Sequence, residues 1–147
     1  MAAAMRPFIL IIGSSRGLVE SIRKNEDFRT CYRSGKSYAN KYLVVYIREN
    51  GTDHNRIGIS VSKKVGNSVV RHRIKRLVHE SYRLHEGEFD SGSDIVVVGR
   101  RSADGASYTE IERALLSLLK YAGIYHRERK SVSEKLQMNA EGSKDHG

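Results

Sequence analysis

The sequence predicts an α+β fold: a single central β-sheet with helices packed on it, in the order α-β-β-β-α-β-α. Three observations carry this prediction. Over residues 56–62, Ile57, Ile59 and Val61 alternate with Gly58, Ser60 and Ser62, the period of two of a strand with one buried face. Val70, Ile74, Leu77, Val78, Ser81 and Leu84 then recur at helical spacing, so the strand runs into a helix. Residues 95–99 (Ile-Val-Val-Val-Gly) form a continuous apolar run, as expected for an interior strand buried on both faces.

The remaining elements follow in chain order. Residues 1–20 lack clear periodicity, hold the sole proline, Pro7, and read as a poorly ordered extension ahead of a domain over 21–125. Asn25 can cap a short helix whose first turn carries Glu26 and Asp27 and whose Phe28, Cys31 and Tyr32 lie three and four residues apart, with Gly35 ending it. Residues 37–40 and 42–48, rich in aromatic and β-branched types, read as one interrupted strand or two short ones. Asn50-Gly51 marks a turn, after which the strand 56–62 is expected to pair antiparallel with 42–48. Gly66-Asn67 supplies a turn and a cap for the long helix. The acids of 86–94 resemble a calcium loop, but the glycine falls a position late and Val97 stands where the closing Glu belongs, so the segment reads as a solvated connector. Ser107, with Glu110 three residues on, caps a last helix that turns Ile111, Leu115, Leu118 and Leu119 inward. From 126 to 147 the chain is a polar tail of mixed charge.

Composition narrows the function. A chain of 147 residues is one domain's worth, and 26 Lys plus Arg against 17 Asp plus Glu leave a formal charge of +9, which points to a polyanionic partner. A membrane surface is disfavoured, because strand patterns flank the basic helix and back its apolar side; the run Phe8-Ile9-Leu10-Ile11-Ile12 is too short to span a bilayer. Cys31 is the only cysteine, which excludes a disulfide framework and a cysteine-based zinc site and suits a reducing, cytoplasmic setting.

On a helical wheel Arg71, His72, Lys75, Arg76, His79 and Arg83 gather opposite the apolar arc, with Arg73 at its border and only Glu80 offsetting them. A solvated helix face ordinarily mixes signs, whereas this one crowds like charges, so an anion is expected against it. The run Ser62-Lys63-Lys64-Val65-Gly66-Asn67-Ser68-Val69-Val70-Arg71-His72-Arg73-Ile74-Lys75-Arg76 resembles the signature of the bacterial ribonuclease P protein component, whose helix carries Arg-Asn-Arg followed by Ile-Lys-Arg. Here His72 replaces the central Asn, and an imidazole cannot reproduce the amide's paired donor and acceptor.

The resemblance implies a ribosomal-protein-like two-layer sandwich with a left-handed β-α-β crossover through the basic helix. It implies a subunit that binds the catalytic RNase P RNA through Lys63, Lys64, Asn67, Arg71, His72, Arg73, Lys75 and Arg76. It further implies that Phe28, Tyr32, Asn40, Lys41 and Tyr46 hold the single-stranded 5′ leader of precursor tRNA, in a cleft between the first helix and the sheet. Stacking on exposed rings would suit that role, although by period alone Phe28, Tyr32 and Tyr46 could equally be core. Catalysis, with its Mg²⁺, would belong to the RNA. No cofactor, metal site or small-molecule substrate is expected of the protein itself, and the chain shows neither clustered carboxylates nor histidines at ligand spacing. A structural RNA-binding protein without a part in cleavage is the alternative. A DNA-binding regulator would need a preceding helix and tight turn where a strand stands.

Overall fold

The structure, a computed structural model, describes residues 19–126. The predicted order is present as α1 (Asn25–Ser34), β1 (Lys36–Ala39), β2 (Leu43–Glu49), β3 (Arg56–Val61), α2 (Ser68–His85), β4 (Ser93–Gly99) and α3 (Tyr108–Tyr121), with 3-10 turns at Glu86–Glu88 and Arg101–Ala103. Most of the N-terminal extension and of the C-terminal tail lies outside the described residues. Val19 and Glu20 lie inside the fold: Glu20 accepts a hydrogen bond from Ile57 N, Ile22 N donates to Ile57 O, and this short parallel bridge covers the first half of the outer edge of β3.

The four strands stand in the order β1-β2-β4-β3. β2 runs antiparallel to both β1 and β4, and β3 runs parallel to β4. The expected antiparallel pairing of β3 with β2 is therefore replaced by the insertion of β4 between them. Ile95, Val96 and Val97 are all fully buried, so β4 has no face to show to water and must be interior. Parallel entry into β4 then requires a long crossover, which is α2. The loop after β2 cannot act as a tight hairpin, because Asn50 Nδ2 donates to His54 O at 3.1 Å and to Asp94 Oδ1 at 3.0 Å, tying the loop across to β4.

Alternation sorts the sheet into two faces. Leu43, Val45, Ile95 and Val97 point to α2 and α3 and join Ile74, Val78, Tyr82, Ile111, Leu115 and Leu119 in the main core. Val96, with Tyr46 and Val98, points the other way, where α1 lays Phe28 and Cys31 on it. Cys31 is fully buried, with its Sγ 3.5 Å from Tyr46 O, and burial pushes its thiol up to about 11.

Two local expectations need correction. Asn25 is the first residue of α1, not its cap; Lys24 occupies the cap position without a side-chain bond. At the end of α2, Leu84 is 54% exposed whereas Tyr82 is fully buried, because the 3-10 turn brings Phe89 back onto the Tyr82 ring at 5.2 Å. The other caps are as predicted: Asn67 accepts from Val70 N, and Ser107 with Glu110 forms a complete capping box.

The acidic connector is not simply solvated. Asp94 is buried and receives Arg56 through two bonds, at 2.8 and 2.6 Å; burial alone would raise its pKa, but Arg56, Asn50 and Arg48 outweigh that and lower it. His85 sits with Nδ1 2.7 Å from Glu88 and Nε2 2.8 Å from Glu112, clipping α2 to the 3-10 turn and to α3. Burial pulls the His85 pKa down, but the two carboxylates outweigh it and the net shift is upward. A raised folded value makes the clip complete below the unfolded pKa of about 6.5 and removes it as the pH rises through the folded one. Glu86, pushed by burial to about 7, adds a loss of the same sign.

Thermal midpoints should accordingly fall as the pH is raised from about 5.5 to about 8.5. His85→Gln should cost about 1 kcal/mol at the acid end and little at the alkaline end. A variant with the same deficit at both ends would contradict the clip.

Candidate nucleic-acid interface

The exposed side of α2 begins before the helix does. Lys63 and Lys64 are exposed on the turn after β3, and Val65 tucks inward to anchor that turn to the main core. Asn67 then caps α2, its side-chain oxygen accepting from Val70 N at 3.0 Å. The first turn holds no acid. His72, Lys75 and Arg76 are exposed, and none of the cations expected to bind RNA forms an ion pair with a carboxylate among the described residues. Glu80, the one acid of that face, is taken by Arg83.

Arg71 and Arg73 are half-buried and behave differently from their neighbours. Arg71 Nε is shielded from solvent without a hydrogen-bond partner among the described residues. Arg73 Nη2 donates to Ala106 O at 2.7 Å, so one arm of its fork ties α2 to the loop that leads into α3. A contact across 33 residues leaves no trace in the local sequence.

A groove of about 420 Å³ opens beside this face, lined by Asn25, Phe28, Arg29 and Tyr32 of α1, by Ile59, Ser60 and Val61 of β3, and by Lys75 of α2. It begins where the 20–22 segment stops covering β3. Phe28 reaches the sheet only because residue 58 is glycine: a Cβ there would lie 2.6 Å from the ring. Phe28 and Tyr32 have centroids 6.4 Å apart, and Tyr46 meets Tyr32 edge-on at 4.9 Å. Thus three of the five residues assigned to the leader cleft are brought together, with Tyr32 the most exposed and Tyr46 half-buried behind it.

Asn40 and Lys41 are placed elsewhere. The Asn40 side chain shapes the turn between β1 and β2, accepting from Tyr42 N and Leu43 N and donating to Ala114 O of α3 at 3.0 Å. Lys41 follows it, its carbonyl held by Ser102 and its ammonium 5.2 Å over the Tyr42 ring. Both line a separate hollow with α3, at the β1 edge of the sheet, whereas the aromatic groove opens at the β3 edge. Residues that sequence reasoning passed over are Arg29 and Ser60 in the groove and Gly58 beneath Phe28; the alternation of β3 already placed Gly58 and Ser60 on one face.

Among the described residues no cluster of three or more His, Cys, Asp or Glu is arranged to hold a metal ion, and no helix is long and apolar enough to cross a membrane. A helix face of largely unpaired cations beside an aromatic groove is the arrangement of an α+β protein suited to a polyanionic partner. Comparison with known proteins narrows the class. The family model described as Ribonuclease P matches residues 19–123. The ribonuclease P protein component of Lachnoclostridium phytofermentans is 55% identical over 101 residues, covering 69% of this chain and 87% of that protein. That of Clostridium botulinum strain Langeland is 55% identical over 106 residues, covering 71% and 96%. Among solved structures, the Staphylococcus aureus RNase P protein superimposes with a TM-score of 0.68 at 39% identity, covering 74% of this chain and all of that one. The Thermotoga maritima RNase P protein gives 0.65 at 37% identity, covering 69% and 96%. The chain belongs to the ribonuclease P protein family, the protein components of an endoribonuclease complex that processes tRNA and includes an RNA partner.

Gly58→Val should force Phe28 off the sheet and cost roughly 1–3 kcal/mol, as overpacking does. Denaturant unfolding measures the loss, and near-UV circular dichroism reads the displaced aromatic cluster. An unchanged aromatic signal would show that the glycine does not set the groove.

Proposed function

We propose that this protein is the accessory subunit of a ribonucleoprotein endonuclease that frees the mature 5′ ends of tRNA in the cytoplasm. The basic face of α2 binds the RNase P RNA, and the groove beneath α1 receives the single-stranded 5′ leader of precursor tRNA. The cutting chemistry and its Mg²⁺ ions belong to the RNA. The observation that carries this reading is the junction at Lys75, where the row of cations from Arg71 to Arg76, with no acid among them, meets the aromatic groove. Cations track a phosphate backbone without reading sequence, and ring faces accept any base, so the two surfaces together suit a leader whose sequence varies.

The protein's part is electrostatic and positional. Lys63, Lys64, Arg71, Lys75 and Arg76 lower the repulsion between the catalytic RNA and the incoming leader, a screening otherwise supplied by metal ions. Lowering the Mg²⁺ requirement and favouring substrates with a leader both follow. His72 can present one donor to a phosphate or a base edge, but not the two-point pattern of an amide.

Cleavage of 5′-labelled precursor tRNA by a bacterial RNase P RNA at low Mg²⁺, with and without the protein, tests the reading. Cutting at the mature 5′ end only when both are present is expected. Tight RNA binding without stimulation would instead favour a structural RNA-binding protein. Arg76→Ala should weaken RNA binding and reduce the slope of log affinity against log salt by about 1. Tyr32→Ala should spare RNA affinity and weaken the complex's hold on leader-bearing substrate by about fivefold or more. Equal effects of the two substitutions on both partners would undo the assignment of two surfaces.

A further inference from the structure

The β1 edge of the molecule carries a second aromatic and cationic surface, remote from the groove at the β3 edge. Tyr121, the last residue of α3, is 82% exposed. Its ring meets that of Tyr38 on β1 edge-on, with centroids 6.0 Å apart. Tyr38 pairs with Val45 and so lies on the α2 and α3 side of the sheet, opposite to α1. A hollow of about 360 Å³ runs along α3, with Lys41 and Arg113 among its lining, and Lys120, the exposed residue before Tyr121 in sequence, lines the neighbouring hollow that Arg113 also borders.

This surface is net basic, with Lys41 and Arg113 lining the hollow against the single carboxylate of Glu110. Of the acids of α3, Glu112 meets His85 and Tyr108, whereas Glu110 closes the capping box, accepts from Tyr42 Oη at 2.9 Å and keeps its exposed carboxylate in the hollow, in the field of Lys41. Lys41, Arg113 and Lys120 have no ion pair with any carboxylate among the described residues. Exposed stacking rings bordered by cations that outnumber the neighbouring acids are the elements of a single-strand binding surface. Three strand spacings, about 14 Å, separate the two sheet edges, so a strand lying in the α1 groove leaves this surface vacant.

We infer that the β1 and α3 edge, through Tyr38, Tyr121, Lys41, Arg113 and Lys120, is a second contact for single-stranded RNA. This rests on the reading of the chain as an RNA-binding subunit. Bases stack on Tyr121, with Tyr38 holding that ring in place, while the three cations follow the backbone. The surface is distinct from the leader groove, and it gives Lys41 a role that its distance from that groove denies it.

Tyrosine ring signals of the full chain, followed by NMR during titration with an oligouridylate of about ten nucleotides, test the inference. The Tyr38 and Tyr121 rings are expected to shift together. Tyr121→Ser should weaken the binding read at Tyr38 by about fivefold or more while leaving the response of Tyr32 unchanged. Silent Tyr38 and Tyr121 rings at concentrations that move Tyr32 would overturn the second surface and leave the proposed function standing. Shifts of these rings with protein concentration alone, without RNA, would assign the patch to a second copy of the chain and overturn it too. Retention of RNase P RNA binding by Arg76→Ala, with an unchanged salt slope, would instead count against the broader reading.

Discussion

Everything in this fold depends on where β4 can lie. A strand apolar on both faces must be interior, and its placement between β2 and β3 dictates the rest of the topology. Because β3 and β4 run parallel, the chain between them must return the length of the sheet, and α2 makes that return across one face. The apolar side of α2 is then committed to the core, and its cationic side has no direction left but outward. At the start of β4, Arg56 and Asn50 hold the buried Asp94, which fixes the end of the strand against the loop after β2.

That arrangement trades stability of the free protein for readiness to bind. Like charges along α2 oppose one another, and no described carboxylate relieves them except where Glu80 takes Arg83. A polyanion removes the conflict on binding, so the same residues that weaken the isolated helix favour the complex. Arg73 shows how the fold limits the weakness: one arm of its guanidinium holds the loop before α3, and the helix is clamped at its most highly charged turn.

What was legible in the sequence was what is local. The caps at Asn67 and Ser107 and the interior character of β4 depend on residues within one turn or one strand, and each stands as read, whereas β3 alternates as a strand but has Gly58 of its other face buried under Phe28. Pairing of β3 with β2 was misread because register and neighbours are set by β4, some thirty residues further on, and adjacency in sequence favoured the wrong partner. The exchange of Leu84 for Tyr82 in the core has the same origin, since Phe89 decides it from beyond the helix. At the interface, the cations of α2 could be read from their wheel, and Phe28, Tyr32 and Tyr46 do come together. Asn40 could not be placed, because its amide serves a turn whose partner is a carbonyl of α3.

The lone thiol beneath α1 has a practical consequence. Cys31 is the sole cysteine of the chain, fully enclosed between α1 and the sheet, and its high pKa leaves almost no thiolate at neutral pH. It can be alkylated only while the α1 layer is lifted from the sheet. Its labelling rate is therefore a built-in clock for the opening of that layer, and any strand held against α1 should slow the clock without touching the sulfur.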